Sequence, residues 1–211
     1  MKLYDTPLAP NPRRVRWFMA EKAIADIEIV NVDLMKGEHK TPDYLAKAGL
    51  ANVPALELDD GTVITESVAI CRYLESAWAE PNLFGRDAKE TAVIEMWARR
   101  AELLVSLPMM LTVRHTLPAL AALERQVPEI AQSNRESGLR GLKVLNRRLA
   151  ESPWIAGERI TIADIVAFCG VDFARLIKFE PPAELEYVAR WVGEMRARPA
   201  AAAGQPAQAG A

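Results

Sequence analysis

Two short stretches hold residue types suited to gripping a small charged molecule. Thr65-Glu66-Ser67-Val68-Ala69-Ile70 opens a helical pattern, so Glu66 and Ser67 stand at a helix N-terminus. The first N–H groups of a helix have no intrahelical partner, and the positive end of the dipole lies there too. Such an end binds a carboxylate, while Glu66 can take an ammonium group. A serine in this place is equally suited to capping the helix. The second stretch is the loop Pro7-Leu8-Ala9-Pro10-Asn11-Pro12, which leads into another helix. A helix N-terminus beside a thiol lowers its pKa from about 8.5 by a unit or more. Asn11 is placed to add a side-chain hydrogen bond there, or to act as the N-cap.

Two further motifs frame these. Val53-Pro54-Ala55-Leu56 enters a strand. Pro54 is either an edge-strand proline, which need not donate to the ladder, or a cis-proline turn that leaves the Val53 N–H and C=O exposed. Thr161-Ile162-Ala163-Asp164 is a capping box before an apolar helix. Its hydroxyl and carboxylate satisfy backbone N–H groups reciprocally. The motif is structural and is not expected to be catalytic.

The elements that position these residues follow from periodicity. Lys2 to Asp5 reads as a strand, and the helix after the first loop carries Val15, Phe18, Met19 and Ala23 on one face. Ile27 to Val32 and Val53 to Leu58 are strands, and Asp59-Asp60-Gly61 turns into Thr62 to Ile64. The stretch around Thr41 to Lys47 is expected to be irregular. A helix from Glu66 is expected to bury Ile70, Tyr73, Leu74 and Ala77. Strands alternating with helices over residues 1–78 argue an α/β domain. Residues 79–87 (AEPNLFGRD) break the periodicity and form a linker. Residues 88–198 show only helical patterns: 88–107, 128–151, 161–177 and 183–198, with Pro108 and Pro118 as breaks. Residues 199–211 are alanine, proline, glycine and glutamine, and are expected to be a disordered tail.

Composition narrows the function. With 211 residues, 26 basic and 28 acidic side chains and a net charge of −2, the chain lacks the footprint of a nucleic-acid or anionic-membrane binder. No run approaches the roughly 18 apolar residues that span a bilayer. The N-terminus has no signal-type stretch. The two cysteines, Cys71 and Cys169, form no CxxC pair, and the two histidines, His39 and His115, make a metal site improbable. A reducing, cytoplasmic setting is expected.

Taken together, Lys2-Leu3-Tyr4, Arg13-Arg14-Val15, Ala20-Glu21-Lys22, Gly37-Glu38-His39-Lys40, Val53-Pro54-Ala55-Leu56, Glu66-Ser67-Val68-Ala69-Ile70 and Gly157 to Ile165 resemble the cytosolic glutathione transferase family. The match runs over about residues 1 to 198, and its specificity lies in the order and spacing of the pieces. The resemblance implies an α/β plus all-α protein: a thioredoxin-like domain that binds glutathione, a helical-bundle domain that supplies the electrophile pocket, and a homodimer. It implies that Val53 pairs with the cysteinyl part of glutathione, with Pro54 cis. Glu66 and Ser67 match the γ-glutamyl-binding pair. His39, Lys40 and Asn52 match positions that hold the glycine carboxylate, although His39 and Lys40 also suit a solvated loop.

The sequence departs from the family at the residue that activates the thiol. Ala9 stands at the usual hydroxyl position, Pro12 at the usual cysteine position, and Ala48-Gly49 replaces the usual Asn-Pro. Asn11 remains, and it resembles the asparagine of bacterial relatives similar to the Nu class, which include disulfide reductases and peroxidases. The expected activity is therefore a glutathione transferase of the detoxifying kind, with Asn11 catalytic and glutathione the co-substrate, without metal. Its second substrate would be a hydrophobic electrophile, a peroxide or a disulfide. The alternative is a non-catalytic ligand-binding or protein-interaction module. Trp97, Met110 and Arg114 are candidates for the electrophile pocket. No nucleic-acid or membrane partner is expected.

Overall fold

The computed structural model describes residues 1–205, which form two compact units, Met1–Pro81 with the segment from Ala202, and Asn82–Ala201. In the first unit a strand β1 (Lys2–Asp5) leads through the proline-rich loop to a helix α1 (Pro10–Glu21). There follow β2 (Glu28–Asn31), a 3-10 turn Glu38–Lys40, α2 (Pro42–Ala48), β3 (Ala55–Glu57), β4 (Val63–Thr65) and α3 (Ser67–Ala77). The sheet order is β2-β1-β3-β4, with β1 and β2 parallel and the other pairs antiparallel.

The register decides where the loops emerge. Tyr4 lies opposite Val30 on one side and Ala55 on the other, and Ala55 lies opposite Thr65. Four segments therefore leave the sheet at the same end: the loop after Asp5, the stretch after Asn31, the turn before Ala55 and the junction after Thr65. These are the segments that hold Asn11, His39 with Lys40, Asn52 to Pro54, and Glu66 with Ser67.

Alternation places Leu3 and Leu56 in the core, beneath Val15, Trp17 and Phe18 of α1 and Ile70, Cys71 and Leu74 of α3, all buried. Lys22 ties the far ends of these two helices together. Its ammonium donates to the carbonyls of Trp78 at 2.6 Å and Pro81 at 2.8 Å and pairs with Glu75 at 2.8 Å. The expected irregular stretch at Thr41 to Lys47 is instead the helix α2. Thr41 caps it by accepting from the Tyr44 N–H at 3.3 Å, Pro42 fills its first position, and Gly49 ends it in the left-handed region at φ 72°. Asp59-Asp60-Gly61 turns as expected, with Gly61 at φ 85° and the Leu58 N–H donating to Thr62 at 2.8 Å.

The second unit is helical: α4 (Ala88–Ala101), α5 (Leu107–Thr116), α6 (Pro128–Glu151), α7 (Ile162–Phe173) and α8 (Glu186–Ala197). The break expected at Pro108 is absent, because a π-helical segment, Glu102–Ser106, joins α4 to α5. A wider turn relieves the clash of a proline ring with the preceding carbonyl and dispenses with its missing N–H. The segment packs closely on its neighbours. A Cβ at Gly141 of α6 would sit 2.0 Å from the Leu104 carbonyl oxygen, and one at Gly170 of α7 would sit 2.5 Å from Ser106 Cα.

The Thr161–Asp164 capping box forms as expected. Asp164 is fully buried and accepts from the N–H groups of Ile155 (2.9 Å) and Thr161 (2.9 Å), the Thr161 hydroxyl (3.1 Å) and Trp191 Nε1 (3.0 Å). Burial raises its pKa to about 6 against the pull of these hydrogen bonds. Residues 199–202, which the sequence places in a disordered tail, form a 3-10 turn, and Gly204 is hydrogen-bonded. The rest of that tail, from 206 onward, lies outside the described residues.

Candidate functional site

At the end of the sheet where the four segments emerge, the first loop enters α1 with Ala9 as the N-cap. Ala9 has no side chain to cap with, and Asn11 sits at the second helical position rather than at the cap. Pro10 and Pro12 have no N–H to offer, and the Arg13 N–H donates to the Ala9 carbonyl at 3.1 Å. Over the first turn, Pro10–Arg13, Asn11 therefore supplies the one N–H without a partner among the described residues. Its side-chain Oδ1 is also buried and unpartnered. An unpaired buried acceptor is costly, and this one lies at the positive end of a helix dipole.

The neighbouring helix presents Glu66 and Ser67. Glu66 is exposed and takes φ 67°, a left-handed conformation uncommon for a residue with a side chain. That turn brings the chain sharply from β4 into α3. Ser67 is 4% exposed, and its hydroxyl accepts from Arg14 Nη1 at 3.2 Å. Arg14 is itself only 2% exposed. Local sequence pattern puts Arg14 on the polar face of α1 and so misses it as a site residue. Its burial depends on α3 packing across it, which no local pattern reports. The Cys71 thiol donates to the Arg14 carbonyl at 4.0 Å, a second tie between the two helices, which suits a buried structural cysteine.

Between these helices and β2 runs the turn before β3. The Val53–Pro54 peptide is cis, and Val53 precedes the first paired residue of β3. The turn is held from behind: the Tyr44 hydroxyl of α2 donates to the Asn52 carbonyl at 2.5 Å, and burial pushes the Tyr44 pKa up to about 12. The Asn52 side chain is exposed. On the β2 side, His39 is 7% exposed with Nδ1 buried and unpartnered, while Lys40 is exposed. Burial, with the Lys40 charge beside it, holds the His39 pKa below its ordinary value, so the ring is neutral near pH 7.

The site thus has a cationic, hydroxyl-bearing corner at Arg14 and Ser67, an exposed backbone at Val53, an unpaired amide oxygen at Asn11, and a neutral imidazole at the opposite edge. Three strand spacings separate β2 from β4, about 14 Å in all. A fully extended tripeptide spans about 10 Å, and side chains reaching inward from the two edges bridge the remainder. No group of three or more metal-ligating side chains occurs among the described residues.

The electrophile candidates lie in the second unit. Trp97 is half-buried on α4, with Arg100 4.8 Å and Arg148 5.5 Å from its ring, a cation–π arrangement. Met110 is half-buried on α5, and Arg114, one turn on, is exposed and pairs with Glu124 at 2.7 Å. Met110 and Arg114 share a face at i, i+4. Trp97 lies roughly 20 Å from Met110 along the helix axis, so the three do not form one patch. His115 is buried, and its Nδ1 accepts from the Val127 N–H at 3.2 Å, which is a structural role.

Comparison with known proteins agrees with this architecture. The family model for the glutathione S-transferase N-terminal domain matches residues 9–77, and that for the C-terminal domain matches residues 108–199. Glutathione S-transferase 2 of Saccharomyces cerevisiae is 38% identical over 208 residues, covering 94% of this chain and 87% of that protein. The crystal structure of Gtt2 from the same yeast superposes with a TM-score of 0.88 at 38% identity over 95% of this chain and 98% of the other. A glutathione S-transferase domain-containing protein of Marinobacter aquaeolei superposes with a TM-score of 0.89 at 40% identity over 95% of this chain and 99% of the other. A thioredoxin-like sheet, a site at one end of it, a helical second unit and these matches together establish that the chain belongs to the glutathione S-transferase family.

Proposed function

We propose that the chain binds glutathione across the end of the sheet and activates its thiol at Asn11. The observation that carries this reading is the Asn11 amide. Its Oδ1 is buried and unpartnered, beside the only first-turn N–H of α1 left unpaired among the described residues. An amide can serve both states of a thiol: its carbonyl oxygen accepts from S–H, its NH2 donates to S−, and a rotation of the group exchanges the two. The dipole of α1 and these donors favour the thiolate without a covalent enzyme intermediate. Ala9 and Pro12 leave no hydroxyl or thiol at the usual places, which concentrates the task on Asn11.

The remaining groups orient the tripeptide. The γ-glutamyl carboxylate goes to the N-terminus of α3 and to the Ser67 hydroxyl that Arg14 already supports, and its ammonium group goes to Glu66. The Val53 backbone pairs with the cysteinyl unit. The glycine carboxylate goes to His39, Lys40 and Asn52, where a neutral imidazole can donate a hydrogen bond. The thiolate then attacks an electrophilic carbon and expels its leaving group, or attacks the sulfur of a disulfide and releases a thiolate.

The second substrate is apolar. Met96, Leu103 and Leu107 are exposed at helical spacing along α4, the π-segment and α5, and Met110 continues the row. Such a row suits an electrophile or the subunit contact of a homodimer. A cytoplasmic, detoxifying role accords with this chemistry, and no helix among the described residues is long and apolar enough to cross a membrane. The test is glutathione binding by calorimetry on a sample also assayed with chlorodinitrobenzene and with a small disulfide. Binding with turnover of either substrate supports the reading, and the ratio of rates chooses between conjugation and disulfide reduction. Binding without turnover would favour a carrier or interaction module instead.

A further inference from the structure

The C-terminal segment Ala202–Gln205 runs against the first loop. The Leu8 N–H donates to the Gly204 carbonyl at 3.1 Å. Leu8 takes φ 68°, which a branched side chain adopts only when its surroundings hold it there. The Leu8 side chain is 40% exposed, so its own packing is a weak restraint, and the hydrogen bond to Gly204 is the visible one.

Residue 204 has to be glycine for this contact. It lies at φ 71°, and a Cβ there would stand 3.1 Å from Arg13 Cγ and 3.2 Å from Arg13 Cα. Those atoms belong to the α1 backbone as well as to a side chain, so a rotamer change alone cannot relieve the crowding. Arg13 is buried, and its guanidinium stands 5.7 Å from the Trp17 ring. In its better-paired orientation the Gln205 amide oxygen accepts from Arg13 Nη2 at 3.0 Å. Leu8, Arg13, Gly204 and Gln205 thus form one joint, with Ala9, Pro10, Asn11 and Pro12 enclosed between its two attachment points on the chain.

We propose that Ala202–Gln205 is a positioning clip for the reacting thiol. It fastens both ends of the loop and first turn that carry Asn11, so the Asn11 amide and N–H stay aimed at the sulfur. Gly204 and Gln205 touch neither substrate nor reacting atoms in this role. The inference rests on the reading of Asn11 as the thiol-activating group. It predicts that the clip governs kcat and the thiol pKa, whereas glutathione affinity, set at Glu66 and Ser67, is nearly indifferent to it.

The experiment compares the full chain with Gly204→Val and Gln205→Ala, the second removing the amide contact without backbone strain. Hydrogen exchange of the Leu8 amide, without ligand, reports the joint itself. Steady-state kinetics with glutathione report kcat, KM and the pH dependence of kcat/KM. The expected result is Leu8 exchange at least tenfold faster in Gly204→Val. With it, kcat falls roughly five- to twentyfold, the pH profile moves to higher pH, and KM for glutathione stays within about twofold. Gln205→Ala should show the same changes in smaller degree. Unchanged Leu8 exchange in Gly204→Val, or faster exchange with kcat and pH profile as in the parent, would overturn the clip. Absence of turnover in the parent chain would instead overturn the thiol-activation reading, and the exchange data would still show whether the joint exists.

Discussion

Replacing Asn11 with alanine separates a catalytic amide from a structural one by the sign of two effects. In the folded chain Asn11 Oδ1 is buried without a partner. Leaving a buried acceptor unpaired costs about 1–3 kcal/mol. Alanine removes that acceptor, and it is a better helix former than asparagine by up to about 0.7 kcal/mol. The two side chains share their Cβ, so little apolar packing is forfeited. Asn11→Ala should therefore stabilise the ligand-free chain by about 1–2 kcal/mol, or a thermal midpoint higher by a few degrees. Turnover should move the other way, with kcat lower by roughly ten- to a hundredfold, equivalent to about 1.4–2.7 kcal/mol of transition-state stabilisation. KM for glutathione should hold nearly constant, because the groups at α3 and β2 are untouched. Thermal unfolding of the free chain and steady-state kinetics on the same preparations read both quantities. A less stable variant with full turnover would mean that Asn11 merely shapes the turn, and the thiol would have to be activated elsewhere. Higher stability with lower activity is the pattern of a residue kept for function.

Other substitutions probe the groups around it. Ser67→Ala should raise the Kd for glutathione by roughly tenfold, about 1.4 kcal/mol, with kcat largely kept; unaltered affinity in calorimetry would remove Ser67 from the γ-glutamyl corner. Glu66→Gly relieves the positive φ of 67° and should stabilise the free chain by about 1 kcal/mol while weakening glutathione binding; a chain that binds glutathione as before would show that Glu66 holds no ammonium group. Asp164→Ala strands three buried N–H donors, those of Ile155, Thr161 and Trp191, and should cost about 3–5 kcal/mol of stability. Because the folded pKa of Asp164 is raised to about 6, above the unfolded value of about 3.9, its titration favours the fold at acid pH. That contribution is complete below about pH 4 and is lost as the pH rises through about 6. Denaturation midpoints of the parent should therefore carry a downward trend across this window that the variant lacks.

The strands, the long helices and the residues at their starts are legible in the sequence, because each rests on local patterning. Alternation marks β1 and β3, and a capping box marks α7. Asp-Asp-Gly marks the hairpin. Helix α2 escapes a reading by periodicity although Thr41, Pro42 and Gly49 mark both its ends, since its seven residues give too few turns for a hydrophobic stripe. The π-segment reads as a break because a proline usually makes one. Its insertion depends on glycines 141 and 170, far along the chain, letting the backbone of Leu104 and Ser106 approach. Arg14 reads as a solvated charge on an amphipathic helix, and only the packing of α3 turns it into a buried support for Ser67.

The C-terminal segment shows a different reason for illegibility. Hydropathy reports side chains that leave water, and residues 199–205 offer mostly methyl groups and a glycine. What docks there is a backbone carbonyl at Gly204 and one amide at Gln205. The same blindness applies to Asn11. Its distinction comes from what its neighbours lack: Ala9 has no hydroxyl, Pro10 and Pro12 have no N–H, and the Arg13 N–H is already committed to Ala9. Each side-chain absence is visible in the sequence, and singly each reads as a loss. In three dimensions the absences leave one residue offering both a backbone donor and a side-chain amide at the end of a helix dipole. A thiolate needs a few aligned donors rather than a particular functional group. A chain without the usual serine, cysteine or tyrosine can therefore meet the same electrostatic demand with asparagine, provided the turn that carries it is held still.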